Sequence, residues 1–243
     1  MTSADANWLN WPNGWWVEHV AETTSTNIDL YDLAQQGAPT HSVIAADFQT
    51  AGRGRLDRTW VAARGANLLV SLLFRDLTRP QHHYTQIVGL AAVRACQQLA
   101  GVLPELKWPN DLLINGRKLS GLLAAVGPDF VVVGIGINMN WAPDDAISLS
   151  ELVAGAYLQP ADLLRLLLSN IDEFEQLSID DLHGLYSASL STIGATVRVD
   201  RTDRTVLVGR AASVNRDGRL AVVDDSGVTH LIDTGDIVHL RTT

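Results

Sequence analysis

Leu112-Leu113-Ile114-Asn115-Gly116-Arg117-Lys118-Leu119-Ser120-Gly121 sets an Asn-Gly pair between two apolar-leaning runs. This is the strongest short signal for a two-residue hairpin turn, because both central residues must take positive φ. It predicts strands over residues 112–114 and 117–126 and a sheet that is at least partly antiparallel. The turn pairs Ile114 with Arg117, Leu113 with Lys118 and Asp111 with Ser120, leaving Lys118 about two residues from Asp111 across the ladder. A lysine on a rigid strand is well placed for transition-state work, although many lysines beside hairpin turns are simply solvated.

Outward from the hairpin, residues 130–138 read as a further strand. Its period of two puts Gly134, Gly136 and Asn138 on one face and Val133, Ile135 and Ile137 on the other. One face is stripped of side chains, either because a ligand approaches it or because a neighbouring element packs close. Upstream, residues 43–48 and 67–74 read as strands, Thr26 with Asp29 matches a capping box before a helix ending at Gly37, and Pro80 opens a helix that stops at Gly101. Downstream, residues 160–177 carry Leu163, Leu164, Leu167, Ile171 and Phe174 at helical spacing. Past residue 190 the texture changes to short β-rich runs at 196–199, 205–214, 220–223 and 228–232, the pattern of a small all-β barrel. Trp8, Trp11, Trp15 and Trp16 surround Pro12 and Gly14 near the N-terminus. That composition suits an irregular strap packed on a core, or else a binding or dimer surface.

Bulk properties exclude several function classes. The chain has 243 residues, 47% of them apolar, and a formal net charge of -9. It is long enough for one large domain with a small second one, and too acidic for general binding to nucleic acid. A single cysteine, Cys96 in an apolar run, rules out an internal disulfide and suits a reducing compartment. Met1 to Asp5 lack a basic, signal-like start, and no run reaches the roughly 18 apolar residues of a membrane span. The expected location is cytoplasmic.

Gln49-Thr50-Ala51-Gly52-Arg53-Gly54-Arg55-Leu56-Asp57-Arg58 gathers three arginines and two glycines in an acidic protein. It reads as an anion cradle of guanidinium groups and exposed amides, and not as a P-loop, since no Gly-Lys-Ser/Thr follows. Taken alone, a solvated turn fits this loop equally well.

Taken together, Ser25-Thr26-Asn27, Gln49 through Arg55, Trp60, Lys107-Trp108-Pro109-Asn110-Asp111, Lys118 with Gly121, and Gly134-Ile135-Gly136-Ile137-Asn138 resemble the biotin–protein ligase family in order and spacing. The resemblance implies an α+β fold with a mixed, largely antiparallel sheet and helices, of class II synthetase-like type, over residues 1–190. It also implies a small SH3-like C-terminal β-barrel over 191–243. The implied activity is formation of biotinyl-5′-AMP and pyrophosphate from biotin, ATP and Mg²⁺, then transfer of biotin to a lysine of a biotin carboxyl carrier domain. Ser25, Thr26, Asn27 and Gln49 are implied to line the biotin ring site. Arg53, Gly54 and Arg55 would close over the adenylate, and Lys118 would contact the reacting carboxylate and phosphate. Gly134 and Gly136 would lie against the ligand, with Arg58, Asn110 and Asp111 near the phosphates and Asp111 a possible metal ligand. Trp60, Lys107, Gly121 and Asn138 complete the expected binding set.

The chemistry suits those roles. Biotin's carboxylate is ionised at neutral pH, so adenylation needs charge neutralisation rather than a base, and Lys118 and Arg55 supply it. Transfer needs a neutral acceptor amine, whose unperturbed pKa is about 10.4, and Asp111 is the candidate to orient or deprotonate it. Asp57 and Ala125 depart from the family pattern, which usually has glycine and glutamate there. The Ser-Thr-Asn motif starts at Ser25, leaving no room for a DNA-binding helix-turn-helix before it. A lipoate–protein ligase and a non-enzymatic biotin-binding module stay open as alternatives, as do monomer and homodimer.

Overall fold

The computed structural model describes residues 8–75, 77–154, 156–201, 204–233 and 236–239, the last four by backbone alone. Met1 to Asp5, read above for a signal, lie outside the described residues. In chain order the first unit contains β1 (Trp16–Val20), α1 (Thr26–Gln35), β2 (Ser42–Ala46), β3 (Leu68–Arg75), α2 (His82–Ala100), β4 (Glu105–Lys107), β5 (Asp111–Ile114), β6 (Arg117–Val126), β7 (Phe130–Ile137), α3 (Pro160–Glu175) and α4 (Ile179–Ser189). Its seven strands form one sheet in the order β1-β2-β3-β7-β6-β5-β4. Only the edge pair β1–β2 is parallel, so the sheet is mixed and largely antiparallel as expected.

Strands β3 and β7 occupy the middle and are buried on both faces. Period two sends Leu68, Val70, Leu72, Phe74, Val131, Val133, Ile135 and Ile137 into the main core with α2 and α3. The opposite face holds a smaller cluster in which Leu30 and Ala34 of α1 meet Ile44, Leu73, Phe130 and Val132. Helix α2 ends at Gly101, whose φ of 68° permits its N–H to reach Gln97 O. Helix α3 starts with Pro160 at its first turn and buries the expected leucine stripe, with Leu168 added.

The second unit is a five-stranded antiparallel sheet among the described residues: β8 (Thr196–Asp200), β9 (Val206–Val214), β10 (Leu220–Val223), β11 (Thr229–Ile232) and β12 (Asp236–His239), ordered β11-β10-β9-β8-β12. It is tied to the segment that leads into β5. Ser191 N donates to Leu106 O, Trp108 N to Thr192 Oγ1 at 3.0 Å, and Trp108 Nε1 to Gly218 O at 3.0 Å. Trp108 is therefore a structural anchor between the two sheets.

Three sequence readings change. The Thr26–Asp29 capping box does not form. Ser25 is the N-cap without a side-chain bond, Asp29 instead accepts from Thr23 Oγ1, and Thr26 Oγ1 turns to Gln49 and Ser71. The Asn115-Gly116 turn forms with both φ positive, and Ile114↔Arg117 and Leu113↔Lys118 pair as expected. An irregularity then inserts Leu119, so Ser120 faces Leu112 and Asp111 faces Gly121 rather than Ser120. The aromatic strap packs on the core except at Trp16: Trp8 stacks on His19, Trp11 lies by the Arg165 guanidinium, and buried Trp15 stacks on His41 and donates to Asp172. Trp16 is 57% exposed and already belongs to β1.

Replacing Thr192 by valine removes the acceptor of the buried Trp108 N–H. A loss of about 1–3 kcal/mol is expected, read as a lower urea midpoint at unchanged slope. A wild-type midpoint would show that this bond does not hold the sheets together.

Candidate active site

A cavity of about 440 Å³ opens on the α1 side of the sheet, beyond the point where that helix stops covering it. Every residue expected from sequence to bind ligand or react lines this one cavity. The N-terminal turn of α1 brings Ser25, Thr26 and Asn27. The 49–60 loop brings Gln49, Arg53, Gly54, Arg55, Arg58 and Trp60. The β4–β6 region brings Lys107, Asn110, Asp111, Lys118 and Gly121, and β7 with its exit brings Gly134, Gly136 and Asn138.

One end is polar and uncharged. Gln49 Oε1 accepts from Thr26 N at 2.8 Å and from Thr26 Oγ1 at 3.2 Å. Thr26 Oγ1 lies 2.9 Å from Ser71 Oγ, and Asn27 Nδ2 donates to Leu123 O at 3.2 Å. Gly134 keeps this end open, because a Cβ there would come within 3.0 Å of Asn27 Nδ2 and 3.2 Å of Ser71 Oγ. Ser71 was missed in the sequence. Its signal was a lone hydroxyl in the apolar run of β3, on the same face as the glycines of β7.

The other end is cationic. Arg53, Arg55, Arg58, Lys107 and Lys118 face two carboxylates, Asp111 and the exposed Asp145. Lys118 Nζ lies 2.6 Å from Asp111 Oδ1, close as a charge contact although Oδ1 counts no well-aligned hydrogen bond. Arg55 Nη1 donates to Asn110 Oδ1 at 3.3 Å. Burial lowers the pKa of Arg55, opposed by Asp111 and aided by Arg58. It likewise lowers that of Lys107, opposed by Asp111 and aided by Lys118 and Arg58. Asp145 and its neighbour Ala146 also escaped the sequence reading. They enter through a strap in which Ala146 bridges to Lys118 in parallel fashion and Ile147 N donates to Lys118 O.

The Gly/Arg loop folds back over this end. Gly54 N donates to Arg58 O at 2.7 Å, Trp60 N to Gly52 O at 2.9 Å, and Arg53 bridges Thr59. Its tip takes left-handed backbone at Leu56 and Asp57, with φ of 54° and 57°. Aspartate tolerates that region better than most residues, so the departure at position 57 fits the turn. Trp60 explains half of the stripped face of β7: a Cβ at Gly136 would overlap its indole, and one at Gly121 would touch it at 3.2 Å. The indole Nε1 is buried without a partner among the described residues.

The chain matches the Biotin/lipoate A/B protein ligase family over residues 17–140 and the biotin protein ligase C-terminal domain over residues 192–240. It belongs to the biotin protein ligase family. It is 38% identical over 218 residues to the biotin–[acetyl-CoA-carboxylase] ligase of Mycobacterium tuberculosis, covering 84% of this chain and 82% of that one. It is 35% identical over 160 residues to the bifunctional ligase/repressor BirA of Bacillus subtilis, covering 60% of this chain and 49% of that one. Among solved structures it superposes on the biotin protein ligase of Aquifex aeolicus in complex with biotin and ATP with a TM-score of 0.77 at 25% identity, covering 93% and 99% of the two chains.

Gly136→Ala should displace the Trp60 ring and lower stability by about 1–3 kcal/mol, as overpacking does. Thermal melts and the emission spectrum, referenced to a Trp60→Phe control, read both effects. Unchanged emission and melting would mean that the indole does not rest on Gly136.

Proposed function

We propose that the chain is an ATP-dependent biotin–protein ligase, forming biotinyl-5′-AMP and pyrophosphate and then biotinylating a lysine of a biotin carboxyl carrier domain. One observation carries the reading: a single cavity runs from a neutral hydrogen-bonding end at Thr26, Gln49 and Ser71 to a cationic end at Arg55, Lys107 and Lys118. Biotin needs both, because its ureido ring is neutral and its carboxylate must meet a triphosphate. The relatives carry the same activity in their names.

Adenylation sets two anions against each other, and Lys118 and Arg55 offset the repulsion and stabilise charge that grows in the transition state. In the free protein Asp111 holds Lys118. Phosphate oxygens compete for the ammonium, and Asp111 then serves to orient or deprotonate the acceptor amine in the second step. Closure of the 49–60 loop shields the mixed anhydride from water. Asp111 is the cavity carboxylate that would hold Mg²⁺ beside bound nucleotide phosphates. When bound it neutralises phosphate charge.

The reading divides the chain into a catalytic unit over residues 1–190 and a small C-terminal unit over 191–243. It assigns the protein to the cytoplasm, where ATP is available and the buried thiol of Cys96 stays reduced. No helix among the described residues is long and apolar enough to cross a membrane.

Incubation with biotin, ATP, Mg²⁺ and a carrier domain is expected to add one biotinyl mass to the carrier, with lipoate as the comparison substrate. Transfer of lipoate in preference to biotin, or no transfer, would overturn the assignment. Lys118→Ala is expected to lower pyrophosphate release by about 100-fold or more, the scale of losing a transition-state charge contact, with the fold retained by circular dichroism. Arg55→Gly is expected to release the adenylate, read as biotinylation of bystander lysines. A wild-type pattern of labelling would exclude the loop's role as a lid.

A further inference from the structure

We infer that Asn67 is a positioning residue for adenylation: its carboxamide fixes the orientation of Asn138 and, through it, the placement of Lys118. The inference rests on the ligase reading above. Asn67 precedes β3, is 2% exposed and lies outside the lining of the cavity. A buried carboxamide is tolerated only when its polar atoms are matched, and here they are. Oδ1 accepts from Met139 N at 3.0 Å and from Trp141 N at 3.3 Å, while Nδ2 donates to Asn138 Oδ1 at 3.3 Å.

That last bond decides what Asn138 can do. A carboxamide has one accepting and one donating end. With its oxygen taken by Asn67, the 1% exposed Asn138 turns Nδ2 toward Lys118 O at 3.4 Å. Lys118 sits where the β5–β6 register breaks, so its backbone lacks the support of a regular ladder. Two donors hold its carbonyl instead, Asn138 Nδ2 and Ile147 N at 3.0 Å. Asn138 N also fixes the inserted residue by donating to Leu119 O at 2.9 Å. The Lys118 side chain departs toward Asp111 from this doubly held peptide. Placement errors of about 1 Å from changes remote to the chemistry cost on the order of 100-fold in rate.

Asn67→Asp separates this role from simple support of the fold. Aspartate still accepts from Met139 and Trp141, yet it offers no donor to Asn138 and sets an oxygen against Asn138 Oδ1. The Asn138 amide should then turn its oxygen toward Lys118 O. In single-turnover pyrophosphate release, N67D is expected to lower the adenylation rate constant about 10- to 100-fold. Its active-site burst amplitude stays full, so the loss falls on the rate constant. In a Lys118→Gln background, N67D should slow the step no further, since both changes act on the same group. Independent, multiplicative losses in that cycle, a wild-type rate constant per active site, or a loss confined to burst amplitude would each overturn the inference. Should N67D not fold, Asn67→Ser carries the same cycle. If the wild-type chain forms no adenylate, the ligase reading fails; if it does and the cycle is multiplicative, only the role of Asn67 fails.

Discussion

The pairing of β3 with β7, from Leu68↔Ile137 to Arg75↔Phe130, is the constraint on which the rest depends. Both strands are buried on two faces, so the register decides which side chains reach each core. One face is aliphatic apart from Phe74 and packs on α2 and α3. The other carries Leu73, Phe130 and Val132 beneath α1 and has only small side chains at Ser71, Gly134 and Gly136, where it borders the cavity. The cavity is the part of a sheet face that no element of the fold covers fully. A slip of one residue would point Leu72 and Ile135 into the cavity and turn the glycines toward the core, losing core and site together.

The hairpin supplies the reacting end on the same logic. The Asn115-Gly116 turn fixes the register of β5 against β6, and the insertion at Leu119 breaks it three residues after Gly116, beside Lys118. A bulge next to a functional side chain re-aims it and also forfeits ladder bonds. The 143–147 strap and Asn138 restore them from two directions. Rigidity at Lys118 thus comes from two stretches of chain outside the hairpin meeting at one peptide.

Much of this was legible in the sequence because it was periodic or punctuated. Alternation in β7, the leucine stripe of α3, Pro160, Gly101 and the Asn-Gly turn each report a local rule, and the order of the motifs gathered the site residues. The missed features are those that local rules do not encode. Strand β1 is a half-exposed parallel edge, β4 has three residues, and the bulge at Leu119 answers to partners far along the chain. Helix α4 had a usable sign in Ser178, which accepts from Asp181 N, but Gly184 interrupts its pattern. Thr26 and Asp29 show the opposite error: a local capping signal lost to Gln49 and Ser71, which only the folded chain brings near Thr26, and to Thr23, a neighbour in sequence that donates to Asp29.

The charge arrangement links stability to binding. Arg55 and Lys107 are partly desolvated beside other cations, and burial depresses the pKa of each. A cation whose pKa is lower in the folded state than in the unfolded chain weakens folding below its folded pKa, and that penalty fades as pH rises past its unfolded value. At neutral pH the unliganded site therefore works against the fold. A bound polyanion reverses the sign of the neighbouring potential and adds the ordinary mass-action stabilisation of a ligand that prefers the folded state. The chain's net charge of -9 opposes this attraction at long range, so the clustered cations act on a polyanion at close quarters.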